Sequence, residues 1–354
     1  MLAADTKVVS PPLADTLRPE PAHSWKEIID PVEPFLEAVS QRLALQVEAF
    51  DPAISPYADY ALNGQGKHLR PALVALTANA LGQPDDSHVT VAVIIEMVHL
   101  ATLVHDDVMD EAEIRRGKLT LAAHWGNDIA VLFGDCLFAR ALTLAAGFPT
   151  PEVCRAVAMA TNTVCSGEIL QNQQRGDFQF TREKYFQVLE MKTAELFALS
   201  CGLSALLSGA TPDQRTALRQ FGLAFGTAYQ VYDDCVDLFG SEAAAGKSLG
   251  TDLAKGKLTL PVLLAWERAD AADRARLQEL VQNWQRGSMK RMAGLLAKHD
   301  TLGASLAIMR QYLDQARQHL SVLRSSNGRS GLLGLTDYLS RQTGALGTVP
   351  VTSL

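Results

Sequence analysis

The chain has 354 residues, of which 47% are hydrophobic and 20% charged, and a formal net charge of -7. This is the composition of a folded globular protein with a sizeable core, and it excludes disordered and fibrous classes. No arginine or lysine run offsets a phosphate backbone, so nucleic acid is not an expected partner. Five widely spaced cysteines without a Cys-x-x-Cys pair point to a reducing cytoplasm rather than a disulfide framework or a zinc site.

In chain order, residues 1–24 read as a flexible tail, with Asp5, Asp15 and several prolines but no apolar signal core. From Trp25 to Arg341, apolar residues recur at three- and four-residue spacing, alanine and leucine dominate, and alternating β-branched runs are nearly absent. The expectation is an all-α, single-domain helical bundle over residues 25–341, followed by a second tail at 342–354. Breaks fall at Asn63–Lys67, Gly82–Asp86, Gly147–Pro151, Arg175–Phe180, Gly209–Asp213, Gly240–Gly256 and Ser325–Ser330. The apolar stretches at 89–104 and 129–148 are interrupted by Glu96, His99, Asp135 and Arg140, so no transmembrane segment is expected.

The segment His88–Glu111 reads as one helix, with Asp85, Asp86 and Ser87 available to cap its start. It contains Asp106-Asp107-Val108-Met109-Asp110, in which Asp106 and Asp110 lie one turn apart and share a face. His99 stands nearly two turns earlier on the same stripe. A second segment repeats the arrangement as Asp233-Asp234-Cys235-Val236-Asp237, preceded by Gln230. Aspartates on helices are usually solvated surface, but both motifs interrupt strongly apolar segments, where uncompensated carboxylates are costly. Two such motifs arise by chance in about one chain per thousand. Like charges so placed need cations to stay ionised together, and magnesium characteristically joins a few carboxylates to substrate phosphates. Isolated cations match a diphosphate: Lys67 and Arg70 in a glycine-bearing turn, Arg115 and Arg116, Lys192, Lys247 and Lys257.

With these residues in view, the chain resembles the trans-type polyprenyl diphosphate synthases, the family of farnesyl, geranylgeranyl and longer-chain enzymes. The elements of the resemblance are Gly66-Lys67-His68-Leu69-Arg70-Pro71, His99, the first aspartate motif with Arg115-Arg116-Gly117, Lys192-Thr193, Gln230-Val231-Tyr232-Asp233-Asp234, and Gly256-Lys257-Leu258-Thr259-Leu260-Pro261. Gln65 and His68 depart from its usual glycine and arginine. The resemblance implies the isoprenoid-synthase bundle around a central cavity, a homodimer, and magnesium, about three ions per site, held by Asp106, Asp110 and Asp233. Asp107, Asp234 and Asp237 would support them. Arg115, Lys192, Lys247 and Lys257 would bind the allylic diphosphate; Lys67, Arg70, His99 and Arg116 would bind isopentenyl diphosphate. Thr193 and Gln230 would stabilise the allylic cation, and the Gly240–Gly256 loop would close as a lid. Ala101 and Thr102 occupy the positions where bulky aromatics stop growth early in short-chain members, so a long-chain product is expected, with geranylgeranyl or farnesyl diphosphate the alternative if a deeper floor of Phe133, Phe138 or Met159 stops growth. A class I terpene cyclase, a di-iron bundle built on Glu96-Met97-Val98-His99, and a regulatory subunit are the competing readings.

Overall fold

Small and branched aliphatic side chains at helical spacing build almost the whole molecule. The computed structural model describes residues 24–62, 66, 68–115, 117–242 and 249–347. Its helices are α1 (Trp25–Ile29), α2 (Glu33–Val47), α3 (Ser55–Leu62), α4 (Leu69–Leu81), α5 (Asp86–Met109), α6 (Leu121–Trp125), α7 (Asn127–Ala146), α8 (Glu152–Gln173), α9 (Arg182–Leu189), α10 (Glu195–Leu207), α11 (Pro212–Phe239), α12 (Thr251–Ala254), α13 (Leu260–Arg268), α14 (Ala271–Gln282), α15 (Met289–Lys298), α16 (Thr301–His319) and α17 (Asn327–Gln342). One element is not foreseen by the helical pattern: a two-stranded antiparallel hairpin pairs Ile114 with Leu119 and Arg115 with Lys118. Gly117, at φ +76°, supplies its left-handed turn.

Helix α5 is the axis of the bundle. Asp85 caps it by accepting from the Ser87 and His88 backbone N–H groups at 3.0 and 3.1 Å. Every residue from Val91 to Val98 is buried, so its apolarity is spent on packing against α2, α4, α7 and α10. The helix stops at Met109, with Asp110 as its C-cap and Glu111 in the left-handed region at φ 49°, rather than continuing through Glu111. The Asp110 N–H still closes the ladder on the Asp106 carbonyl at 2.8 Å, while its side chain pairs with cations from other elements.

Two of the sequence expectations about extent and surface are corrected. Residues 343–347 belong to the packed domain: a 3₁₀ turn at Thr343–Ala345 follows α17, Leu346 is buried, and the Gly347 N–H donates to the Phe239 carbonyl at 3.1 Å. Both α5 and α7 are long and apolar enough to cross a bilayer by length and composition, contrary to the expectation drawn from their interrupting polar residues. In α5 that apolarity faces protein on all sides. In α7 it leaves Val131, Leu132 and Leu142 exposed.

The α10–α11 crossing sets the distance between two halves of the site. Gly222 and Gly226 of α11 lie against the backbone of Phe197 and Ala194, and a Cβ at Gly222 would stand 2.4 Å from the Phe197 carbonyl oxygen. Gly222→Ala is therefore expected to cost about 1–3 kcal/mol through overpacking and to lower the melting temperature in calorimetry. An unchanged melting temperature would show that this crossing tolerates a wider spacing.

Candidate active site

The second aspartate motif reaches a cavity through Asp234, and Lys192 and Lys257, each paired with an aspartate of the first motif, line the same cavity. Gly167 of α8 packs so closely on the chain at Met191–Lys192 that a Cβ there would meet the Lys192 backbone nitrogen at 2.8 Å. This contact sets Glu168 beside Lys192, with which it forms a short ion pair. Residues Glu190–Ala194 form a single π-helical turn between α9 and α10. Such turns recur at functional sites because they re-aim side chains out of the regular helical register. From this turn the Lys192 ammonium group reaches Gln171 Oε1 at 3.0 Å and Asp106 at 3.6 Å.

The neighbouring Thr193 hydroxyl donates to Gln230 Oε1 at 3.0 Å, and Gln230 Nε2 donates to Asp234 Oδ1 at 2.8 Å. The other Asp234 oxygen accepts from the buried Tyr185 phenol at 2.6 Å. A second bridge starts at Asp110, which takes ion pairs from Lys257 at 2.9 Å, Arg175 at 2.8 Å and Lys255 at 3.2 Å. Lys257 in turn donates its backbone N–H to the Asp252 carbonyl at 2.8 Å. Lys192, Thr193, Gln230, Asp234, Asp252 and Lys257 all line the same cavity.

The remaining aspartates are committed elsewhere. Asp107 is buried and grips Arg115, which donates through Nε at 2.8 and 3.0 Å and lies within 2.7 Å through its terminal nitrogen. Asp237 accepts from the Thr251 N–H and hydroxyl at 3.2 and 2.9 Å and from the Asp252 N–H at 3.2 Å. It acts as a buckle that fixes the turn carrying Asp252 against α11. Asp233 is half-buried on the next turn of that helix.

Electrostatics follow burial. Desolvation, together with Glu168 and Asp110, raises the Asp106 carboxyl above its ordinary range despite the opposing Lys192. Desolvation and the Asp252 charge push Asp234 well upward. Burial also acts on Asp110, but Lys257 and Lys255 outweigh it and hold that carboxyl low. Lys192 is raised, because Asp106 and Glu168 outweigh its desolvation.

The second group of cations lies beside α5 on the other side. His68, left-handed at φ 44°, approaches Glu96 at 3.7 Å, which holds the start of α4 against α5 one turn before the half-buried His99. Arg70 lies 4.8 Å from the Phe197 ring centroid. Lys67, Arg116, Lys247 and the centre of the expected lid, residues 243–248, lie outside the described residues.

Ala101 is fully buried and Thr102 half-buried, its hydroxyl donating to the His99 carbonyl at 2.7 Å. Phe133 is buried and packs near Phe50 and Tyr57, while Phe138 packs on His105. Met159 is not part of any interior floor: it is 64% exposed on the outer face of α8. Its helical period allowed either face, and α8 turns Val157 and Ala160 inward instead.

Glu168, Gln171, Arg175, Tyr185, Asp252 and Lys255 join the site without having been singled out from the sequence. Glu168 and Gln171 share a helix face at i, i+3 spacing, but the polar residues around them in sequence hide that signal. Nothing local marks Arg175 or Tyr185. The di-iron reading fails, since Glu96 faces His68 and, among the described residues, no three His, Cys, Asp or Glu side chains cluster to hold a metal by themselves.

The polyprenyl synthetase family model matches residues 51–296. The octaprenyl diphosphate synthase of Haemophilus influenzae is 33% identical over 318 residues, covering 90% of this chain and 96% of that protein. The nonaprenyl diphosphate synthase of Mycobacterium tuberculosis is 36% identical over 303 residues, covering 85% and 90%. Among solved structures, a decaprenyl diphosphate synthase from Rhodobacter capsulatus superposes with a TM-score of 0.84 at 32% identity, covering 90% of this chain and 99% of that one. A polyprenyl synthase from Caulobacter crescentus, complexed with calcium and isoprenyl diphosphate, gives 0.85 at 31%, covering 91% and 99%. Motif, cavity and whole-chain likeness agree, and the chain belongs to the polyprenyl synthetase family as an all-α prenyltransferase.

Proposed function

We propose that the enzyme lengthens an allylic diphosphate by head-to-tail condensation with isopentenyl diphosphate, using magnesium and releasing a long-chain polyprenyl diphosphate. One observation carries this reading: the cavity where Lys192 and Lys257, each bound to an aspartate of the first motif, meet Asp234 of the second. The chain's donors fit magnesium. Asp106 and Asp234 are both held upward by burial and by neighbouring carboxylates, so a cation relieves a cost already present. That no compact all-protein cluster occurs among the described residues suits an ion that keeps much of its shell for water and substrate phosphate. Asp106, Asp110 and Asp233 would hold about three ions, with Asp107, Asp234 and Asp237 supporting them. Bound magnesium would supply positive charge that stabilises the departing diphosphate.

Arg115, Lys192 and Lys257, with Lys247, add fixed positive charge where the C–O bond breaks. Thr193 and Gln230, hydrogen-bonded to each other, would stabilise the allylic cation. Arg70 and His99, with Lys67 and Arg116, hold isopentenyl diphosphate so that its double bond attacks that cation. The proton lost after C–C bond formation goes to the released diphosphate. Water must stay out, since it would quench the cation.

The small side chains at Ala101 and Thr102, one turn upstream of the first motif, support a long-chain product. Intact aspartate motifs favour a catalytic chain over a regulatory subunit, and the described cysteines, all unpaired, suit a cytoplasmic setting. The exposed apolar residues Val131, Leu132 and Leu142 of α7, with Met159 and Ile169 of α8, support a homodimer contact on that face.

The purified chain with farnesyl diphosphate, isopentenyl diphosphate and magnesium is expected to yield products longer than twenty carbons on chromatography after dephosphorylation; no consumption of isopentenyl diphosphate sinks the proposal. Ala101→Phe is expected to shift that product distribution to shorter chains, and an unchanged distribution removes Ala101 from the wall.

Asp234→Asn is expected to lower kcat by about a hundredfold or more. Its effect on stability has the opposite sign. A carboxyl whose folded pKa is raised contributes stability that is fully present below its unfolded pKa and is lost as pH rises toward the folded one, so burying Asp234 costs stability at neutral pH. Without added divalent metal at pH 7, Asp234→Asn should therefore melt above the wild type, and a lower melting temperature would contradict the strained carboxylate.

A further inference from the structure

Asp110 carries more positive charge than one carboxylate can use. Lys257, Arg175 and Lys255 all lie within 3.2 Å of its two oxygens. Asp106 also acts on Lys257, but Asp106 and Glu168 face Lys192 as well, so four cations meet three carboxylates and an anion would relieve the surplus. A structural brace for the end of α5 needs a single partner, not three.

Arg175 comes to this point by a separate backbone device. It follows the C-terminus of α8 and precedes Gly176, which is left-handed at φ +71°. The Gly176 N–H donates to the Gly256 carbonyl at 2.8 Å, and Gly256 is itself left-handed at φ +68°. A Cβ at Gly256 would stand 3.3 Å from the Gly176 nitrogen, so the two turns clasp backbone to backbone. The clasp carries Arg175 and Lys257 to the same carboxylate from different elements. The Arg175 Nε is buried and has no acceptor, which leaves the guanidinium with donor capacity beyond its bond to Asp110.

We propose that Arg175 is a further diphosphate-binding residue, which with Lys257 and Lys255 presents a three-cation cradle to the allylic substrate. The proposal rests on the prenyltransferase reading above. A guanidinium offers planar, paired donors to phosphate oxygens, which neither lysine can supply.

The test uses the full chain with Arg175→Met and Arg175→Lys. Steady-state KM is measured separately for the allylic diphosphate and for isopentenyl diphosphate, and inorganic diphosphate with magnesium is titrated calorimetrically as a readout independent of turnover. Arg175→Met should raise both the allylic KM and the diphosphate Kd on the order of tenfold. The KM for isopentenyl diphosphate should stay within about twofold, and Arg175→Lys should recover part of the loss. If Arg175→Met raises the two KM values equally, or lowers only the melting temperature, Arg175 is a brace and the proposal is overturned. A wild-type chain that consumes no isopentenyl diphosphate refutes the reaction instead, while the diphosphate titration still decides the role of Arg175.

Discussion

The molecule is organised around anionic side chains held where anions are least welcome. Both aspartate motifs sit in the last turns of long apolar helices, α5 and α11. The negative end of the helix dipole disfavours a carboxylate there, typically by 0.3–1 kcal/mol each at exposed positions, and burial adds to that cost at Asp106 and Asp234. Nothing in the packing alone would favour such an arrangement. It becomes coherent once cations are drawn to the site: Lys192 offsets Asp106, Arg115 offsets Asp107, and Lys257 offsets Asp110.

These cations are delivered by elements that deviate from regular geometry. Lys192 leaves a π-helical turn, Lys257 follows a left-handed glycine, and Arg115 opens a short hairpin. Regular helices supply the carboxylates, and irregular segments supply the positive charge. The division has a physical reason. A helix fixes two carboxylates one turn apart with little effort, whereas bringing cations from distant parts of the chain to one point needs backbone that can change direction.

Helical periodicity made the carboxylate half of this plan legible before any coordinates. The cap at Asp85, the shared face of Asp106 and Asp110, and the repeat at Asp233–Asp237 all follow from local spacing. It could not show which face a side chain turns to once two faces are equally apolar, and so Met159 appeared as a candidate floor although α8 turns it outward. Contacts between residues far apart in the chain were equally hidden. Tyr185 meets Asp234 across 49 positions and Arg175 meets Asp110 across 65. Neither residue carries a local mark, because an exposed and a site-directed arginine have the same neighbours in sequence. Asp237 is the subtler case: its spacing suggested a cavity-facing carboxylate, yet three donors from the Thr251–Asp252 turn occupy its two oxygens.

The placement of the first motif at the C-terminal end of α5, rather than within it, also bears on what the enzyme makes. From Asp86 to Asp106 the helix runs for about 30 Å, apolar for most of that length. Residues Val91 to Val98 of that length are buried against other helices, so under the proposed function only the turns nearest the motif would border a growing hydrocarbon. The remaining length has a packing role, and under the proposed function Ala101 and Thr102, within two turns of Asp106, are where a change of product would begin.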